Sequence, residues 1–355
     1  SRFVDQSGRV RIVKNKKHFY CLTMNSVAER SERYIYNFGS TSGIELLLSE
    51  SGFSISVEYS KELHKNEILS EDSLLFSDGI RKALLLYLLK YSKPLKIHSF
   101  SVRIDDLKES EKVPDGANPP IYSMIDSKLL RKVPEAFSSD TMFAFLLHTP
   151  KSKYDRRIAS LFAWLFSKSK VYETERFLYL WTSLNGMYGW LAECIASTNH
   201  GGPYQKEHVQ ISGLLQFLSA GEEGIKGDKE KARIAKSVIA LLKDCDVDQI
   251  NREYVQSGDL GNKIDGRLVE ETSGKRYQLT AYGYLLTQLA YYFRCKFVHG
   301  DKPVLLFSYA ENSELHALQI INNLLEEFIE ANLANWFDDA YIQETIIPKV
   351  REIRL

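Results

Sequence analysis

Net charge is the first thing this 355-residue sequence lacks: 46 Lys and Arg are offset by 46 Asp and Glu. A chain coated in positive charge for indiscriminate binding to nucleic acid or membrane is excluded, and any anion site must be local. The four cysteines, Cys21, Cys194, Cys245 and Cys295, stand apart with no C-x-x-C pair. Neither a zinc ribbon nor a disulfide framework is written here, and a reducing compartment is the simplest reading. No stretch approaches the ~18 uninterrupted apolar residues of a membrane helix, and the opening Ser-Arg-Phe-Val-Asp lacks the basic-then-apolar layout of a signal peptide. A cytoplasmic protein with no membrane partner is expected. G-x-G-x-x-G and H-E-x-x-H are absent, and Gly221-x-x-Gly224 lacks the Lys-Ser/Thr of a phosphate loop. These absences argue against nucleotide hydrolysis through such loops and give no reason to expect a metal or any other cofactor.

What is present is 44% apolar side chains over a length that suits two domains at roughly 150 residues each. Residues 1–110 carry short β-branched or aromatic runs between Gly, Ser and Asn punctuation: 9–13, 18–22, 33–37, 43–48, 53–57 and 96–102. One helical segment, 77–90, interrupts them, with Ser77 or Asp78 as its expected N-cap. This half is expected to be an α+β domain of unknown role. Lys14, Lys16 and Lys17 beside Phe19 and Tyr20 imitate a basic-aromatic patch, though a lysine-defended edge strand has the same composition.

The Pro- and Gly-containing stretch 108–120 cannot continue either kind of element, which marks residues 111–150 as a linker and connecting helix. Beyond it helical periodicity dominates, over 154–166, 173–198, 208–218, 229–243, 280–298 and 313–336. The expected fold is an α+β N-terminal domain followed by an all-α helical bundle over 151–337, with 338–355 as a C-terminal tail. Charges interleave along 226–236, so that segment reads as a solvated helix face.

Two helices are informative. Phe177, Trp181, Leu184, Tyr188, Leu191 and Ile195 recur at steps of three and four and form one apolar stripe. At about 100° per residue, Tyr282, Leu286, Leu289, Phe293 and Phe297 make a second stripe, while Tyr284, Tyr291, Cys295 and Val298 fall on the opposite side of the same helix. A soluble helix apolar on two faces must have both covered, so Tyr284, Tyr291 and Val298 are the expected subunit interface of a homodimer. Arg294 and His299 flank that face. Gly300 and Pro303 end the helix, which puts His299 in its last turn, where unpaired carbonyls favour the imidazolium; Arg294 stays charged at any pH. Both residues suit a phosphate. As a bare spacing the pair means little, because a chain with this many Arg and His offers about one such match by chance. Arg11-x6-His18 is a second match, in strand-like surroundings. His299 as a mere complement to the helix dipole is the plain alternative. Cys295 between Arg294 and Lys296 reads as small and packed rather than as a nucleophile.

Arg294-x4-His299-Gly300 on an amphipathic helix resembles the R-x4-6-H signature of the HEPN domains, in particular the Apea-like branch with its Tyr-x-x-Arg-x-x-x-Val-His-Gly motif. Arg176-Phe-Leu-Tyr-Leu-Trp-Thr-Ser-Leu-Asn185 resembles the first core helix of that family. The resemblance covers roughly residues 154–336. It implies a bundle that dimerises so that two such segments face each other, and a metal-independent endoribonuclease acting on RNA in toxin-like or anti-phage defence. Carried over, His299 is the acid/base, Arg294 binds the scissile phosphate, and Asn185 is the supporting polar residue. The N-terminal domain is then the place for a regulatory ligand or protein. The rival expectation is a non-catalytic RNA-binding or protein-interaction module of the same fold, favoured by Cys295 directly after the Arg.

Overall fold

A computed structural model of the chain describes residues 2–4, 10–12, 17–39, 43–70, 74–113, 130–199, 206–219, 237, 268–272, 275–279, 286, 290–298 and 312–353. Two compact units divide it: Ser1–Ser127 with Lys132–Lys153, and Lys128–Arg131 with Tyr154–Leu355.

The first unit is built on antiparallel strands. β1 (Arg2–Val4) and β2 (Val10–Ile12) pair with each other. β3 (His18–Met24), β4 (Glu32–Tyr36), β5 (Ile44–Leu48), β6 (Phe53–Tyr59), β7 (Ser99–Ile104) and β8 (Leu107–Lys112) form a six-stranded sheet in the order β4-β5-β6-β3-β7-β8. Tyr20, Leu22 and Met24 of β3 and Ile44, Leu46 and Leu48 of β5 alternate into the core, as a half-buried sheet requires. Between β6 and β7 lie α1 (Lys65–Leu69) and α2 (Leu74–Tyr91). α2 is apolar nearly all round, burying Leu75, Phe76 and every residue from Ala83 to Leu89. β5 and β6 meet it, as do the 3₁₀ turn Glu135–Ser138 and α3 (Asp140–His148). Gly79 lets α2 approach the sheet: a Cβ there would lie 3.0 Å from both Ile55 Cδ1 and the Tyr36 hydroxyl.

Several expectations change here. α2 starts at Leu74, so Ser77 and Asp78 are interior residues and not N-caps. Asp78 instead pairs one turn on with buried Lys82 at 2.9 Å, and Lys82 donates to the Leu147 carbonyl of α3. Residues 108–112, read as linker, are the strand β8. No apolar alternation announces that strand, because all six of its side chains are exposed; the tight turn at Asp105 and Asp106 folds it onto β7, and its charges suit a sheet edge. Residues 132–150, assigned to a linker and connecting helix, and 151–153, assigned to the helical bundle, belong to the first unit, where Val133, Phe137, Met142, Phe143, Leu146 and Leu147 bury their side chains.

The second unit is mostly helical: α4 (Arg156–Ser167), α5 (Glu173–Asn199), α6 (Glu207–Ser219), α7 (Ala290–Val298) and α8 (Asn312–Asn332). It is not all-α, since β9 (Leu268–Thr272) and β10 (Lys275–Leu279) form an antiparallel hairpin. The dipeptide Ser273-Gly274 between two strand-like runs is the signal that marks it. α5 is the central element, and all six residues of its Phe177–Ile195 stripe are buried. Gly186 brings it against α4: a Cβ there would sit 2.1 Å from Ser160 Oγ and 2.8 Å from the Arg156 carbonyl. Residues 338–355, expected to be a tail, are folded as far as they are described. The pieces Asp339–Tyr341, Ile342–Ile346 and Ile347–Val350 run on end to end, and Ile342, Ile346, Val350 and Ile353 are buried. Apart from Ser237, segment 229–243 lies outside the described residues. Among the described residues no helix is long and apolar enough to cross a membrane.

Candidate active site

The two segments that resemble family motifs, far apart in the chain, pack together. The Phe177 ring of α5 lies 6.0 Å from that of Phe293 and 5.5 Å from that of Phe297 on α7. One turn further along α5, Trp181 meets Tyr291 edge-on at 6.1 Å and Tyr188 at 6.1 Å. Leu286, Phe293 and Phe297 are buried, in line with the core stripe read from the sequence. Tyr291, assigned to the expected subunit interface, meets Trp181 of this same chain. Tyr284 and the side chain of Val298 lie outside the described residues.

Arg294 is half-buried at the rim of this aromatic packing. Its guanidinium carbon stands 5.4 Å from the Tyr291 ring centre, a cation–π contact within the same helix. Its Nη2 lies 3.3 Å from Glu207 Oε2, in the first turn of α6. The Tyr188 hydroxyl donates to the other oxygen, Glu207 Oε1, at 2.9 Å. Burial first, and then the Glu207 carboxylate, push the Tyr188 phenol well above its usual range, so it remains a proton donor. Arg294 thus meets Glu207 of α6 and Tyr291 of its own helix, and Tyr188 of α5 holds Glu207 in place.

Asn185, the expected supporting residue, stands on α5 four residues after Trp181 and three before Tyr188, which is the same helix face. It is half-buried, but Glu207 and not Asn185 is what Arg294 pairs with. His299 and Gly300 lie outside the described residues. Sequence reasoning missed Glu207. A first-turn acid suits any helix start, and nothing in the chain links it to an arginine on another helix.

Arg176, the first residue of the companion motif, has a different task. It is buried and bonded to Glu173, Glu326 and Asn323, while Lys168 reaches Glu326 at 2.8 Å and also contacts Glu330. This network clamps α5 and the end of α4 to α8. Burial pushes the Cys194 thiol up to about 11, which makes it a packed group and not a nucleophile.

In the first unit, His18 Nδ1 lies 2.9 Å from Asp105 Oδ2, beside a cavity of about 450 Å³ that Glu62, His64, Lys65 and Asp106 also line. The second R-x6-H match therefore has its histidine tied to a hairpin-tip carboxylate on a sheet. Among the described residues no group of three or more His, Cys, Asp or Glu is arranged to hold a metal ion. No protein-family model matches this chain, and neither a curated protein nor a solved structure does.

Proposed function

We propose that the helical unit is a HEPN-type, metal-independent endoribonuclease. The observation that supports this reading is the packing of α5 on α7, with Phe177 against Phe293 and Phe297 and Trp181 against Tyr291. The two segments with family-like motifs are thereby neighbours.

In this mechanism the RNA 2′-oxygen bonds to the adjacent phosphorus as the P–O5′ bond breaks, leaving a cyclic phosphate and a 5′-hydroxyl. His299 takes the 2′-OH proton and supplies one to the departing 5′-oxygen, while Arg294 stabilises the charge on the phosphoryl oxygens. DNA has no 2′-OH and is spared. The active form is a homodimer in the cytoplasm that pairs two such segments, its role is toxin-like or anti-phage defence, and the first unit senses a ligand or restrains the enzyme.

Single-turnover cleavage of RNA in EDTA by wild type, His299→Ala and Arg294→Ala tests the reading, with Arg11→Ala and His18→Ala as controls that keep full activity. A non-catalytic RNA-binding or interaction module is the second reading, favoured by Cys295 next to Arg294. It is adopted if wild type binds RNA and never cleaves it.

A further inference from the structure

We infer that Glu207 is a restraint on this site: its carboxylate neutralises Arg294 until a phosphodiester displaces it. The inference rests on the proposal that Arg294 binds RNA phosphate. Three features of the geometry carry it. First, the side chains of Arg294 and Glu207 are 22% and 30% exposed, so the carboxylate offsets part of the charge that Arg294 presents to solvent. Second, Arg294 Nη2 stands 3.3 Å from Glu207 Oε2, longer than the ~2.7–2.9 Å of strong charge-assisted bonds, and a phosphate offering two oxygens to the guanidinium fork outcompetes it.

Third, each partner has its own support once they separate. Arg294 keeps the Tyr291 ring at 5.4 Å. Glu207 keeps the Tyr188 hydroxyl on Oε1 and the positive end of α6, where it occupies the first turn. A merely structural ion pair needs no such independent anchorage. A restraint does, because both groups must stay ordered when the ion pair opens.

The test is equilibrium binding of a fluorescein-labelled 2′-O-methyl oligoribonucleotide, which presents phosphates but cannot be cleaved through the 2′-OH. Glu207→Gln removes the charge while its amide oxygen still accepts from Tyr188. Binding should tighten about three- to tenfold. Glu207→Ala, at a half-exposed position, should give the same direction even if Glu207→Gln folds poorly. Both gains should vanish in an Arg294→Ala background. If Arg294→Ala weakens binding but the Glu207 variants bind no tighter than wild type, the restraint is refuted and the site assignment stands. If Arg294→Ala leaves binding unchanged, the site assignment itself fails, and the restraint with it.

Discussion

Arg176 and Arg294 are both paired with glutamate in the helical unit, yet their surroundings differ. Arg176 has a 5% exposed side chain bonded to two carboxylates and an asparagine, within a network that also holds Lys168. Arg294 is 22% exposed and meets the Glu207 carboxylate at 3.3 Å and the Tyr291 ring. Two converging carboxylates and near-complete burial fix the first arginine as part of the scaffold. The second is oriented but remains within reach of solvent, as a group that must meet a ligand has to be. Both arginines belong to family-like motifs, so motif membership alone does not separate scaffold from site; burial does.

The sharpest way to break this comparison is to remove each arginine and measure stability. Arg176→Ala leaves Glu326 and Glu173 buried without their main partner and should cost about 3–5 kcal/mol, read as a lowered urea midpoint. Next in size, Gly186→Ala sets a Cβ against Ser160 and the Arg156 carbonyl, which should cost about 1–3 kcal/mol by overpacking α4 on α5.

A smaller effect separates the two regions by pH. Burial raises the Glu326 pKa, but Arg176 and Lys168 lower it further, so the net position is below the ordinary carboxylate value. A folded-state pKa below the unfolded one stabilises above the unfolded value of ~4.3 and loses that contribution as pH falls through the folded value. Glu330 runs the other way: burial, its largest influence, lifts it net upward, so its contribution is present at low pH and lost as pH rises through the folded value. Urea midpoints measured from neutral pH downward should therefore fall less steeply on the acid side in Glu326→Gln than in wild type. The smallest effect is at the site, where Arg294→Ala should cost no more than about 1 kcal/mol. A loss as large as that of Arg176→Ala would erase the distinction.

Periodicity made the architecture largely legible. The α5 stripe from Phe177 to Ile195 and the strands β3, β5 and β6 are regular amphipathic patterns, and the structure buries the faces those patterns marked. Legibility ended where burial was not the cause of the element. β8 forms because a turn returns the chain to a strand, and its Leu-Lys-Glu-Ser-Glu-Lys carries no face to read. Asp78 has the residue type of a cap, but its partner Lys82 draws it into the interior of α2. Residues 339–350 were too short a run to look like packed structure, although Ile342, Ile346 and Val350 are core.

At the site, the resemblance to a family singled out Arg294 and Asn185, and the aromatic stripe brings their helices together. It could not find Glu207 or the hydroxyl of Tyr188 as partners, because those depend on how α6 is placed against α5 and α7. A charge that acts across helices leaves no local pattern.

The most direct measurement of the central claim is single-turnover RNA cleavage in EDTA. Wild type should yield products ending in a cyclic phosphate. His299→Ala should be slower by about 10²–10⁴-fold with RNA binding kept, and Arg294→Ala should lose both rate and affinity. Cleavage at the wild-type rate by His299→Ala, or activity that EDTA abolishes and Mg²⁺ restores, would contradict the account.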